Sequence, residues 1–288
     1  MGASLPARAA SVLYGTGARI HRRVAGWRRG KTGQPSCAVL SVGGLTVGGA
    51  GKTPVAAAFA RMLHERGHRV VLASRGYKGQ DPTPVSVVSD GRTVRSSVAR
   101  SGDESLILAS HAPGVPVLVG NDRRIVGHHA VSLFAAEILV LDDGFQHHRL
   151  ARDLDVVCID AAAGLGNGRV LPAGPLREPV SALRAADWLC IVAGPGPSER
   201  HSSIGPVLDA FAARGSRVVR ARRRPVRLGR LDGSETRDPK WLTGQRVGML
   251  AGIARPTSLR RTLEGLGATV CAERTFPDHH AYRARDLE

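Results

Sequence analysis

Between an apolar run at residues 37–42 and a helical pattern that starts near Lys52 lies the stretch Val47-Gly48-Gly49-Ala50-Gly51-Lys52-Thr53. A strand, a glycine-rich turn and a helix in that order constrain the fold more than any bulk property. A phosphate needs backbone N–H groups aimed at it, a positive helix end and room for close approach. Glycines supply the room, and a helix N-terminus supplies the donors and the dipole. Gly48, Gly49, Ala50 and Gly51 are therefore candidates to cradle phosphates. Lys52 would reach the β- and γ-phosphates, and Thr53 would offer its hydroxyl to Mg²⁺. The strict pattern has glycine where Thr46 stands.

The same alternation continues along the chain. Apolar runs at 69–74, 115–119, 137–141, 154–159 and 188–192 read as buried strands, and a helical pattern fills 52–66 before Gly67. This is the pattern of an α/β fold with a mostly parallel, P-loop NTPase-like sheet. At 85–97, Asp90-Gly91 between two β-prone runs predicts a hairpin. Beyond residue 195 the pattern loosens into Pro, Gly, Ser and Arg around a β-like segment at 217–228, and a second α/β unit follows at 246–275. The expected organisation is an N-terminal basic amphipathic helix over 1–35, a P-loop domain over 36–215 and a smaller α/β domain over 216–288.

The formal net charge is +17, concentrated in residues 8–31, with seven Arg or Lys, and 214–230, with eight Arg. Two readings fit: arginines decorating solvated faces, or attraction to an anionic partner such as nucleic acid, a membrane surface or a phosphorylated substrate. Over residues 5–29, Leu5, Ala9, Val12, Leu13, Ile20, Val24 and Trp27 recur at helical spacing among arginines. Such a helix could lie in the plane of an anionic leaflet or dock on the domain. No stretch approaches the roughly 18 apolar residues of a spanning helix. The four cysteines are far apart, Cys158 and Cys190 within apolar runs, which argues against a disulfide framework and a zinc site.

A second chemical signal is the apolar strand ending in Asp142-Asp143, where a P-loop enzyme holds its metal. Gln146, His147 and His148 follow in a loop that would face the same site. Gly102-Asp103-Glu104 precedes a helical stretch, and its acids serve either as a helix start or as a general base beside the phosphates. Asn121-Asp122-Arg123-Arg124 and Arg177-Glu178 lie just beyond strands, the ligand-binding edge of an open α/β sheet. Asp278-His279-His280 places one titratable histidine beside a carboxylate.

Taken in order, these residues resemble the tetraacyldisaccharide 4'-kinase family. The resemblance runs through Leu13-Tyr14, Ser41-Val42-Gly43, Gly51-Lys52-Thr53-Pro54, Ser74-Arg75-Gly76-Tyr77 and Gly102-Asp103-Glu104. It continues through Asn121-Asp122-Arg123-Arg124, Leu141-Asp142-Asp143-Gly144-Phe145-Gln146-His147, and the run from Leu171 to Glu178. It ends with Ala251-Gly252-Ile253-Ala254-Arg255-Pro256 and Phe276-Pro277-Asp278-His279. The resemblance implies transfer of the γ-phosphoryl of ATP, with Mg²⁺, to the 4'-hydroxyl of a tetraacylated glucosamine disaccharide 1-phosphate.

It further implies Lys52 and Thr53 at the phosphates and the metal, with Asp142 and Asp143 beside them. Asp103 becomes the base, with His279 as its partner. Arg75, Glu104, Asn121, Arg123, Arg124, Gln146, Arg177 and Glu178 become contacts to nucleotide or lipid substrate. The helix over 1–35 becomes a peripheral anchor at the cytoplasmic face of the inner membrane, on a monomer with no nucleic-acid partner. Gly44 stands where the family usually has Asn and Ala50 where it often has Thr. The family continues past the Asp-His motif with a Thr-Glu-Lys-Asp segment, so the smaller domain is expected to be truncated.

Two other functions are weaker. A nucleotide-driven switch or metallochaperone needs a guanine-reading Asn/Thr-Lys-x-Asp motif or a Cys/His metal site, and neither occurs. A nucleic-acid-binding protein would interleave aromatic residues with its arginines, and residues 214–230 contain none.

Overall fold

The computed structural model describes residues 5–27, 33–76, 79–81, 83–194, 201–278 and 280–286. His279, Tyr77, Arg28, Arg29 and Lys31 lie outside the described residues. Helix α1 (Leu5–Trp27) leads into β1 (Ala38–Gly44), α2 (Lys52–His64), β2 (Val70–Ser74) and β3 (Ser86–Asp90). Next come α3 (Val98–Ser101), α4 (Asp103–His111), β4 (Pro116–Val119), α5 (Arg123–Phe134), β5 (Ile138–Asp142) and β6 (Leu154–Asp160). The chain continues with β7 (Trp188–Ala193), α6 (Gly205–Ala213), β8 (Arg217–Arg222), β9 (Leu228–Gly229), β10 (Thr236–Arg237), β11 (Arg246–Ala251), α7 (Pro256–Gly265) and β12 (Thr269–Thr275).

The first eight strands form one sheet in the order β3-β4-β2-β5-β1-β6-β7-β8. All its pairings are parallel except β3 with β4. The central strands are buried on both faces, and their runs are correspondingly unbroken: every residue of β2 is buried, as are the last six of β1. Helix α2 lays Val55, Ala56, Ala57 and Ala60 on one face of the sheet, beside Leu108 of α4. Helix α5 lays Val126 and Ala130 on the other. After β1 the chain crosses to β2 on one side, and after β5 it passes to β6 on the other. The strand order therefore reverses at β1, and the C-terminal ends of the strands there form the crevice where such sheets bind ligands.

Residues 217–222 pair in parallel with β7 as the eighth strand of the large sheet. One expectation is corrected. The predicted hairpin at 85–97 turns at Asp90-Gly91, but its second arm makes only an isolated bridge, Ser89 to Val94. Strand β3 instead takes its ladder from β4, far along the chain. The smaller unit is a parallel pair, β11 with β12, with α7 against it.

Helix α1 docks through small side chains. Ser11 Oγ donates to the Val170 carbonyl at 2.8 Å. Gly15 is buried against Val170, where an added Cβ would lie 3.3 Å from Val170 Cγ2. Val12, Leu13, Ile20 and Val24 are exposed.

Candidate active site

Past β1 the backbone is held against residues 175–177. Val47 N–H donates to Pro175 O at 2.9 Å and Arg177 N–H to Leu45 O at 2.7 Å, with Thr46 bridged to Leu176. Thr46 is thereby buried and committed to a strand-like contact, and the phosphate turn proper begins after it. The turn uses left-handed backbone at Gly48 (φ 85°) and Gly51 (φ 77°). At Gly51 a side chain is excluded twice over, because a Cβ would also stand 2.8 Å from Val192 Cγ1. Gly51 caps α2 without a side-chain bond, which leaves the first N–H groups of the helix to an anion.

Lys52 and Thr53 open α2 and face the end of β5. Lys52 Nζ lies 3.4 Å from Gly48 O and 3.8 Å from Asp143 Oδ1, and Thr53 Oγ1 donates to Asp142 Oδ2 at 3.0 Å. Burial, and then the charge of Asp143, pushes the Asp142 carboxyl up to about 7. For Asp143 burial also pushes upward, but Lys52 and Arg177 outweigh it and hold the carboxyl below its usual range. Oδ1 of Asp142 and Oδ1 of Asp143 are buried without a hydrogen-bond partner. Two such oxygens beside a threonine hydroxyl are a donor set for a hard cation. Among the described residues no cluster of three His, Cys, Asp or Glu side chains could hold a metal ion. Mg²⁺ takes one or two carboxylates and completes its shell with phosphate and water.

Around this centre stand most of the other candidates. Arg177 Nη1 donates to Asp143 Oδ2 at 2.6 Å. Gln146 Nε2 donates to Gly44 O at 3.0 Å, at the root of the phosphate loop. Glu104 is close enough to raise Asp142. Arg123 is buried, donates through Nη1 to Gly120 O and keeps Nε without a partner. Burial, and then the neighbouring Arg75, lowers it to about 10, so it stays charged. Arg75 and Asn121 line a cleft of about 260 Å³ beyond β2 and β4. Asp103 is the first residue of α4, after Gly102 at φ 79°, and its Oδ1 accepts from Glu104 N–H at 2.9 Å.

Two candidates point elsewhere. Arg124 is bound to Asp122, which caps α5, through Nη2 at 2.7 Å. Glu178 is buried between Arg22, 2.5 Å away, and His148 Nε2, 3.1 Å away. A carboxylate enclosed by those two partners faces α1 rather than the phosphate turn.

The sequence reading assigned no role to Asp160, at the end of β6. Its Oδ2 takes Arg223 Nη2 at 3.0 Å and lies 3.4 Å from Arg255 Nη1. Beside this pair a cleft of about 250 Å³ separates Gly49 from Ile253, Ala254 and Leu259. The signal was present in the motif from Ala251 to Pro256, which forms the far wall.

The sequence profile described as Tetraacyldisaccharide-1-P 4'-kinase, LpxK, matches residues 4–288. The tetraacyldisaccharide 4'-kinase of Syntrophus aciditrophicus is 42% identical over 257 residues, covering 87% of this chain and 69% of that protein. That of Anaeromyxobacter dehalogenans strain 2CP-C is 46% identical over 254 residues, covering 87% of this chain and 66% of its own length. The chain thus spans about two thirds of the length of these relatives. The crystal structure of the "apo" form of LpxK from Aquifex aeolicus in complex with ATP matches with a TM-score of 0.74 at 29% identity, covering 94% of this chain and 80% of that one. The chain belongs to the tetraacyldisaccharide-1-P 4'-kinase family.

Proposed function

We propose that this chain transfers the γ-phosphoryl group of ATP to the 4'-hydroxyl of a tetraacylated glucosamine disaccharide 1-phosphate. The observation that carries this reading is the convergence of Lys52, Thr53 and the Asp142-Asp143 pair, tied by the 3.0 Å bond from Thr53 to Asp142. Phosphoryl transfer asks the protein for position and charge neutralisation rather than covalent chemistry. The backbone of residues 48–51 and the N-terminus of α2 hold the phosphates, and Lys52 neutralises their charge. Thr53, Asp142 and Asp143 would hold Mg²⁺, which when bound spreads the charge of the phosphate oxygens. Arg177 and Arg123 face the transferred group, and Arg75, Asn121 and Glu104 line the way to the sugar. Asp103, with His279 as its partner, takes the proton of the 4'-hydroxyl. The new O–P bond then forms as the bond from Pγ to the bridging oxygen breaks, leaving ADP.

Helix α1 is the element that meets the lipid's surroundings. It lies at the cytoplasmic face of the inner membrane, with Leu13, Ile20 and Val24 toward an anionic leaflet and basic residues among them. Among the described residues no helix is long and apolar enough to cross a membrane. The catalytic unit runs from residue 36 to the end of β8, and the smaller unit follows.

The test is the protein with ATP, Mg²⁺ and the disaccharide 1-phosphate in mixed micelles. The expected product is a bis-phosphorylated lipid. ATP consumption at the same rate without the lipid overturns the assignment.

A further inference from the structure

Helix α1 touches the catalytic frame at a second place, beyond its floor on Val170. Arg22 reaches inward, and both Nε and Nη2 donate to Glu178 Oε2, at 2.8 and 2.5 Å. The same guanidinium lies 4.6 Å from the centre of the Phe145 ring. The other oxygen of Glu178 meets His148 Nε2 at 3.1 Å, and the Glu178 and His148 side chains are only 5% and 2% exposed. Charge-assisted bonds in so dry a place are strong and hold their partners in fixed orientation.

The two segments that Arg22 grips are those that carry the acid pair. Phe145 follows Asp142-Asp143-Gly144 and precedes Gln146, which bonds Gly44 beneath the phosphate turn. Glu178 follows Arg177, which holds Asp143 Oδ2. On a helix of 3.6 residues per turn, Leu13, Ile20 and Val24 fall opposite Ser11, Gly15 and Arg22. One helix thus presents an apolar stripe outward and a guanidinium inward.

We infer that Arg22 is a positioning residue for phosphoryl transfer, acting through Glu178 and Phe145 to hold the Asp142–Gln146 loop against the phosphate turn. The surface helix is then part of the catalytic frame as well as an anchor. This rests on the kinase reading above and adds to it a role that surface binding alone does not require.

The experiment compares Arg22→Met, Glu178→Gln and the double variant Leu13→Glu/Ile20→Glu in this chain. Substrate is the disaccharide 1-phosphate in vesicles of anionic phospholipid. Arg22→Met keeps the aliphatic stem, so vesicle sedimentation and the KM for ATP should stay at wild-type values while kcat falls about tenfold. Glu178→Gln should lower kcat likewise, and Arg22→Lys should fall between, since it keeps the charge but not the fork. The Leu13/Ile20 variant should do the converse, losing sedimentation but keeping kcat at saturating lipid in detergent. Amide exchange over residues 142–148 gives a readout independent of turnover and should quicken in Arg22→Met. Wild-type kcat and exchange in folded Arg22→Met and Glu178→Gln overturn the inference. A wild-type chain that forms no phosphorylated lipid overturns the kinase reading instead, and the exchange comparison still decides the role of Arg22.

Discussion

Thr53 and Asp142 stand 89 residues apart in sequence and share a 3.0 Å hydrogen bond that joins the first turn of α2 to the end of β5. The bond is possible because β1 and β5 are neighbours in register, Val42 opposite Asp142, so the two segments leaving the sheet emerge side by side. It leaves Oδ1 of Asp142 facing the site without a partner.

Thr53→Val removes the donor and strands both oxygens of a buried carboxylate. Thermal unfolding should show a loss of about 1–3 kcal/mol. Mg²⁺-dependent turnover should fall by roughly a hundredfold, the equivalent of about 2.7 kcal/mol in the barrier. Thr53→Ser keeps the hydroxyl and should restore most of both. A Ser variant as inactive as Val would show that the methyl group, not the hydroxyl, matters.

On the proposed mechanism, Asp103→Ala separates proton acceptance from nucleotide binding. General-base catalysis contributes about 10²–10⁴, so single-turnover phosphoryl transfer should slow by a factor in that range while ATP affinity stays within about twofold of wild type. The affinity is read by a fluorescent ATP analogue. A matching loss of affinity would move Asp103 to the metal side of the site.

The chemistry that rests on local sequence was legible, and the chemistry that rests on tertiary pairing was not. Lys52 and Thr53 could be read from the glycine-rich turn that opens a helix, and Asp142 and Asp143 from the end of an apolar strand. Glu178 did not: nothing in Arg177-Glu178 says that one side chain turns to Asp143 and the next to Arg22 and His148. Arg22 read as one more surface cation, because helical spacing shows which face a residue shares but not what the face meets. Strand β8 was missed as part of the large sheet because its arginines gave it the look of a linker. As an edge strand it has no need of the apolar run that marked its neighbours, and charged residues there discourage edge-to-edge pairing. Thr46 departs from the strict loop pattern because it lies in the bridge to Leu176, before the turn.

Asp122 offers a pH test outside the reacting centre. The Arg124 guanidinium, bonded to it at 2.7 Å, holds its carboxyl at about 2, against 3.8 ordinarily. A lowered carboxyl stabilises the fold only where it is ionised. Its contribution is therefore fully present above about pH 4 and is lost as the pH falls toward 2. With the pair partly exposed, the contribution is about 1 kcal/mol. Asparagine caps helices as well as aspartate does, so Asp122→Asn isolates the charge. Urea unfolding should put the variant about 1 kcal/mol below wild type at pH 6, with the gap closing near pH 2. A gap that stays constant with pH would assign the effect to the cap.

Gly43 provides the last test, because it joins the sheet to the loop that Arg22 grips. A Cβ there would press on Phe145 Cβ and stand 2.8 Å from Phe145 N, in a chain segment with no room to yield. Phe145 is fully buried, with the Arg22 guanidinium over its ring. Gly43→Ala should therefore cost about 1–3 kcal/mol, as overpacking of a core does, and should lower kcat in the same variant by shifting residues 144–146. The control is Gly17→Ala in α1, where an added Cβ meets nothing within 4 Å. That change should stabilise the helix by up to about 1 kcal/mol and leave kcat alone. Urea midpoints and kcat measured on both variants decide it. Equal stability and turnover in Gly43→Ala and wild type would mean that the Phe145 loop moves freely against β1, contrary to the packing described here.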